Sequence, residues 1–218
     1  MQRFYQGQLD FFCAAYAVIN ALTALYGINL SQARATLASA LSDISRHPEL
    51  WQATLYNDTD FHWLVEYMLF VCSKSVTVPV QVVRPFADCR ELSESIVELA
   101  KAKSYLSFRK PVSDTDAIWD ALAEWLPDTY IQPRAGSARQ VVIVRFHRYI
   151  RYSSRPIVSH WSVMDCHHAG IFQLRDASKE ENALYSLDRE VSVFAEEQIS
   201  EKFQVRIEPE SLFFIKRQ

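Results

Sequence analysis

Cys13 stands where an irregular, turn-capable stretch, Gln6 to Phe12, meets a strongly apolar segment, and that position lends a thiol chemistry. At the start of a helix the free backbone N–H groups and the positive end of the dipole favour a thiolate, which is the reactive form of cysteine. A thiolate needs a partner to hold its proton, and His160 offers one: it lies in Ser159-His160-Trp161-Ser162-Val163, a stretch patterned as a strand and partly buried. The chain then passes Asp165, turns through Cys166 to Gly170 and returns as Ile171 to Arg175, reaching Asp176 sixteen positions after His160. That interval accommodates a strand, a turn and a returning strand, so Asp176 can come back beside the histidine, accept its second ring N–H and fix its tautomer. The plainer reading of the same hairpin is a core histidine bonded to backbone and an aspartate at a strand end.

Attack by a thiolate on an acyl carbon creates an oxyanion, which needs donors. The backbone N–H of Cys13 is one, and a side-chain amide a few residues upstream is another. Gln8 and Gln6 lie five and seven residues before the cysteine; Gln8, beside Gly7 and followed by Asp10, which can brace the turn, is the better placed.

Other groups invite different chemistry. Cys166, His167 and His168 cluster in one expected turn, with Asp165 adjacent, but no second Cys/His pair at zinc spacing accompanies them, so no metal and no cofactor is expected. His62 and His147 read as structural residues. Trp161 neighbours the proposed base and either shields it from water or simply fills the core. Cys72 and Cys89 read as inert packing thiols or weakly exposed ones.

These side chains require elements to hold them. Cys13 to Tyr26 is apolar nearly all round and stops at Gly27, which reads as a buried central helix with a left-handed residue after it. A second helix is expected from a cap at Ser31 to about Asp43, and a third from Asp58 or Thr59 through Phe61, Leu64, Val65 and Met68. Residues 76 to 83 read as an edge strand because of Pro79. Helices are expected again over Glu91 to Lys103 and Thr115 to Trp125. After Pro133 the pattern turns to strands, at 139 to 146, 157 to 165, 170 to 175, 203 to 208 and 212 to 216. The fold class is therefore α+β, with residues 1–130 mainly helical and 131–218 mainly strand. With four glycines and no low-complexity linker, one unit over 1–218 is expected rather than two tethered domains.

Composition narrows the partners. The 218 residues are 49% hydrophobic, enough for a sizeable core, and the net charge of -3 gives no field that would make nucleic acid a default partner. The basic run Arg145 to Arg155 reads as a strand with a solvated face. Four irregularly spaced cysteines do not form a secreted disulfide framework, and neither a signal core nor a membrane-length apolar run occurs. A cytoplasmic location is expected, with non-classical export left open, and neither the oligomeric state nor the pathway is legible.

Gly7 to Leu22 (GQLDFFCAAYAVINAL) resembles the Gln…Cys segment of papain-like cysteine peptidases, including bacterial papain-like and C39-like proteins. Val141 to Val144, His160-Trp161-Ser162-Val163 and Leu174-Arg175-Asp176-Ala177-Ser178 are similar to the strand, His-Trp strand and Asp-bearing strand of those proteins. Ala14 stands where many relatives have glycine, and their glutamine spacing is usually six. The resemblance covers about a third of the chain. It implies a papain-like α+β fold, in which a helical N-terminal lobe presents Cys13 and an antiparallel sheet presents His160 and Asp176. It implies a cysteine hydrolase acting on a protein or peptide through an acyl-enzyme. Glutamine deamidation, transglutamination and acyl transfer use the same machinery, and a catalytically silent binding module or an effector toxin keeps the same fold.

Overall fold

A computed structural model describes residues 12–55, 61–73, 75–87, 115–150, 155–176, 184–202 and 204–218. The expectations placed on Gln6, Gln8, Asp10, Asp58, Thr59, Cys89 and the Glu91 to Lys103 helix lie outside those residues. Helix α1 (Cys13–Tyr26) buries twelve of its fourteen residues, which is why its sequence is apolar all round and not striped. Gly27 ends it in the left-handed conformation at φ 67°. Its backbone abuts Gly136, whose N–H joins that of Gly27 on the carbonyl of Thr23, each at 2.9 Å.

Helix α2 (Leu30–Ser45) starts two residues earlier than a cap at Ser31 would allow. Asn29 caps it instead, accepting from the Gln32 N–H at 3.0 Å while Gln32 accepts from the Asn29 N–H at 2.9 Å. Such a reciprocal pair satisfies two amides that would otherwise face solvent, which a single serine hydroxyl does not. A short α3 (Pro48–Leu55), absent from the sequence reading, precedes α4 (His62–Ser73). Strand β1 (Val80–Val83) is an edge strand, as expected, but Pro79 sits just before it and not within it. Helix α5 (Thr115–Trp125) has the expected bounds.

Six strands form an antiparallel path in the order β1-β8-β2-β3-β4-β5: β2 (Gln140–Arg148), β3 (Val158–His168), β4 (Ile171–Leu174), β5 (Ser186–Asp188) and β8 (Phe213–Arg217) follow β1 in the chain. β6 (Ser192–Val193) runs parallel to β7 (Val205–Ile207), which pairs with the last residues of β2. The described chain is thus mixed helix and mainly antiparallel sheet. One apolar cluster joins α1 and α4 to Val141, Ile143, Trp161, Val163, Phe213 and Ile215; the other joins α5 to Val142, Val144, Phe146, Met164, Phe172 and Leu174. Alternation along β2 and β3 therefore feeds two cores, one on each face of the sheet. This explains why both strands are buried at most of their positions, six of nine in β2 and seven of eleven in β3. Among the described residues no helix is long and apolar enough to cross a membrane.

Three sequence expectations change here. Cys166, His167 and His168 are not in a turn; β3 runs through His168, and Ala169 (φ 49°) with Gly170 (φ 80°) make a two-residue turn. Positive φ at both positions matches the right-handed twist of the flanking strands, so so short a turn suffices. Arg145 and His147 do not form a solvated face, because Glu208 folds over them, burying His147 and leaving Arg145 partly covered. β5 and β6 were not anticipated, being three and two residues long, too short for a period to register.

Candidate active site

The end of α1 opposite the cysteine is pinned at the start of β2. The amides of Gly136 and Ala138 bond the carbonyls of Thr23 and Ala24, and Arg217 at the end of β8 reaches the carbonyl of Leu25. A fourteen-residue helix spans roughly 20 Å, so its N-terminus projects toward the far end of β2, where Arg148 pairs with Val158 at the start of β3. His160 is the third residue of β3. Fixing one end of α1 thereby delivers Cys13 to the end of the sheet that carries the histidine.

Asp176 is delivered by an irregularity. β3 and β4 pair His168 with Ile171, His167 with Phe172 and Cys166 with Gln173, but then Met164 with Leu174, leaving Asp165 unpaired as a bulge. The amide of Arg175 next bonds the carbonyl of Val163 at 2.7 Å, continuing the shifted register. Regular pairing would set Asp176 opposite Val163, on the α1 face; the extra residue sets it opposite Ser162, on the face of His160. Without the bulge the carboxylate would point the wrong way. Asp165 itself turns into a fully buried ion pair with Arg175, whose guanidinium also donates to the carbonyl of Pro133. Burial raises the carboxyl of Asp165 above the usual range, with Arg175 opposing it.

The three residues meet. His160 Nε2 lies 2.7 Å from Asp176 Oδ1, and Asp176 Oδ2 accepts the backbone N–H of Leu184 at 2.9 Å. The ring also hydrogen-bonds the thiol of Cys13. With Nε2 committed to the carboxylate, Nδ1 is the nitrogen left for the thiol. β4 pairs with β3 only back to Met164. Among the described strands, Val158 to Trp161 therefore border β2 alone, an edge around which a ring on one face can meet a helix end on the other. Phe146, directly across the ladder, packs edge-on against the ring with centroids 5.7 Å apart. Cys13 is 8% exposed, His160 4% and Asp176 1%. Burial opposes the charge on the histidine, but the hydrogen bonds and charges of Asp176 and Cys13 outweigh it and push the imidazole up to about 9. The N-terminus of α1 has no side-chain cap at Phe12.

The remaining sequence candidates disperse. His167 Nε2 bonds the carbonyl of Ala123 at 3.1 Å, while His168 Nδ1 bonds Asp128 at 2.9 Å and its ring lies against Tyr130. Among the described residues no group of three or more His, Cys, Asp or Glu side chains is arranged to hold a metal. Cys13, Cys72 and Cys166 are free and buried, and burial pushes the thiols of Cys72 and Cys166 up to about 12.

One cluster went unnoticed in the sequence. β8 and β7 share the same edge of β2, and the chain passes from one to the other across Arg145 through a short 3₁₀ turn, Pro209–Ser211, with Ser211 Oγ accepting the Arg145 N–H at 2.8 Å. That crossing places Glu208 over β2. Its carboxylate meets His147 Nε2 at 2.6 Å, Arg145 at 3.2 Å, His62 Nε2 at 3.4 Å and Arg206 at 3.6 Å. Burial works against its charge, yet the histidine hydrogen bonds and Arg145 hold it well below the usual carboxylate range. His62 also packs edge-on against Trp161 at 4.8 Å. A glutamate sixty-one positions from its histidine leaves no local spacing to find.

Comparison with family models, with curated proteins and with solved structures finds no match.

Proposed function

We propose that this chain is a papain-like cysteine hydrolase, a single unit over residues 1–218, that cleaves peptide or isopeptide bonds through a thioester on Cys13. The observation that carries the reading is the ring of His160, bonded on one side to the Cys13 thiol and on the other, at 2.7 Å, to the Asp176 carboxylate. Cys13 sulfur attacks the acyl carbon while the thiol proton resides on His160. The carbon–nitrogen bond breaks, the amine leaves with that proton, and water activated by the same imidazole hydrolyses the thioester. Asp176, held by the Leu184 amide, keeps the ring oriented and supports its positive charge. The Cys13 N–H and Gln8 are the proposed oxyanion donors. Deamidation, transglutamination and acyl transfer share every step as far as the thioester and differ in what resolves it.

A catalytically silent binding module is the second reading, favoured by one fact: Cys13 is only 8% exposed. Alkylation separates the two. A working site gives Cys13 labelling by iodoacetamide near neutral pH at least tenfold faster than Cys72 or Cys166, slowed by His160→Ala, and an intact-mass adduct with an electrophilic peptide library that Cys13→Ala abolishes. Equal, slow labelling of every cysteine in the folded protein would sink the enzyme reading.

A further inference from the structure

We propose that Ser159, His147 and Glu208 form a second nucleophilic site, a serine that accepts acyl groups from small neutral or anionic esters independently of Cys13. Ser159 and His147 are directly opposite each other across β3 and β2. Ser159 Oγ lies 2.7 Å from His147 Nδ1, and His147 Nε2 lies 2.6 Å from Glu208 Oε1. Hydroxyl, imidazole and carboxylate thus stand in one hydrogen-bonded line, which is the arrangement that activates a serine.

Three features distinguish this line from an ordinary buried polar network. The orientation is set: an ionised Glu208 only accepts, so His147 donates to it from Nε2 and turns Nδ1 to the serine hydroxyl. The carboxylate is immobilised, receiving both contacts of Arg145 at 3.2 Å, His62 at 3.4 Å and Arg206 at 3.6 Å. Exposure is graded along the line, since Ser159 is open to solvent whereas His147 is 5% and Glu208 8% exposed. A reagent reaches the hydroxyl and not the base behind it. Two arginines against one glutamate leave the cluster positive, which disfavours cationic esters. In the acylation step Ser159 Oγ bonds the acyl carbon, the carbon–oxygen bond of the leaving alcohol breaks, and the hydroxyl proton passes to His147 and on to the leaving group.

The test uses the full chain carrying Cys13→Ala, so that the other nucleophile is absent, and a small alkyl fluorophosphonate, which phosphonylates activated serines with loss of fluoride. A single adduct mapped to Ser159 is expected, lost with Ser159→Ala and slowed at least tenfold with His147→Gln. Because His147 is buried and its variant can misfold, Ser159→Cys in the same background supplies a second measure: its thiol should be alkylated by iodoacetamide at pH 6.5 at least tenfold faster in the folded protein than in urea. No adduct at Ser159 in the folded protein, an adduct whose rate His147→Gln leaves unchanged, or a Ser159→Cys thiol no faster folded than unfolded would each overturn the proposal.

Discussion

His160 and Asp176 share a face of the sheet because Asp165 is bulged out between them in the ladder, and the 2.7 Å contact between Nε2 and Oδ1 is the result. Replacing the carboxylate by an amide of the same shape tests what that contact does. Asp176→Asn should keep the fold, yet lower kcat/KM toward a peptide substrate on the order of 10² to 10⁴-fold, the range typical of losing a positioned acid–base partner. Circular dichroism checks the fold, and a loss below threefold would argue against an orienting role.

The pH dependence follows from the direction of the shift at His160. Its pKa rises from 6.5 to about 9 in the folded chain, so the native state holds the proton more tightly than the unfolded state does. That contribution to stability is complete below pH 6.5 and is lost as pH rises through about 9. Turnover should have a basic limb near 9, because the leaving amine needs the imidazolium proton. The denaturation midpoint of the wild-type chain should fall across the same interval, and by less in Asp176→Asn. A basic limb near 6.5 would contradict this.

Asp165 and Arg175 are buried to 0% and 2% and pair with each other. Arg175→Ala removes one charge and strands the other, a change that costs roughly 3–5 kcal/mol for a buried pair. Because Arg175 adjoins Asp176 and sits in the shifted register, activity should fall along with stability. Urea denaturation measures the first and peptide hydrolysis the second; a cost under 1 kcal/mol would mean the pair does not hold the bulge.

The closure at the other end of α1 is tested at Gly136. Its φ is 76°, and a Cβ there would meet the backbone nitrogen of Gly27 at 3.1 Å. Gly136→Ala therefore combines a left-handed backbone with a tight contact against backbone atoms that must give way, and should destabilise the protein by about 1–3 kcal/mol. Alkylation of Cys13 should slow as well, if the pinned C-terminus is what aims the helix. Unchanged stability would show that the two segments separate easily.

Local pattern determined a good deal of this protein. The apolar run from Cys13 to Gly27 gave a buried helix with the cysteine first, Thr115 to Trp125 gave α5 by its apolar spacing, and alternation gave β2, β3, β4, β7 and β8 to within a few residues. Each is a property of neighbours a few positions apart, so a one-dimensional reading reaches it. Tertiary structure alone decided which faces those elements turn to one another. The extra residue at Asp165 chose the side for Asp176, and Glu208 closed over His147 and His62 from 61 and 146 positions away. Register and long-range pairing depend on summed packing across the whole sheet, where one inserted residue reverses every side chain beyond it, and no window of sequence contains that sum.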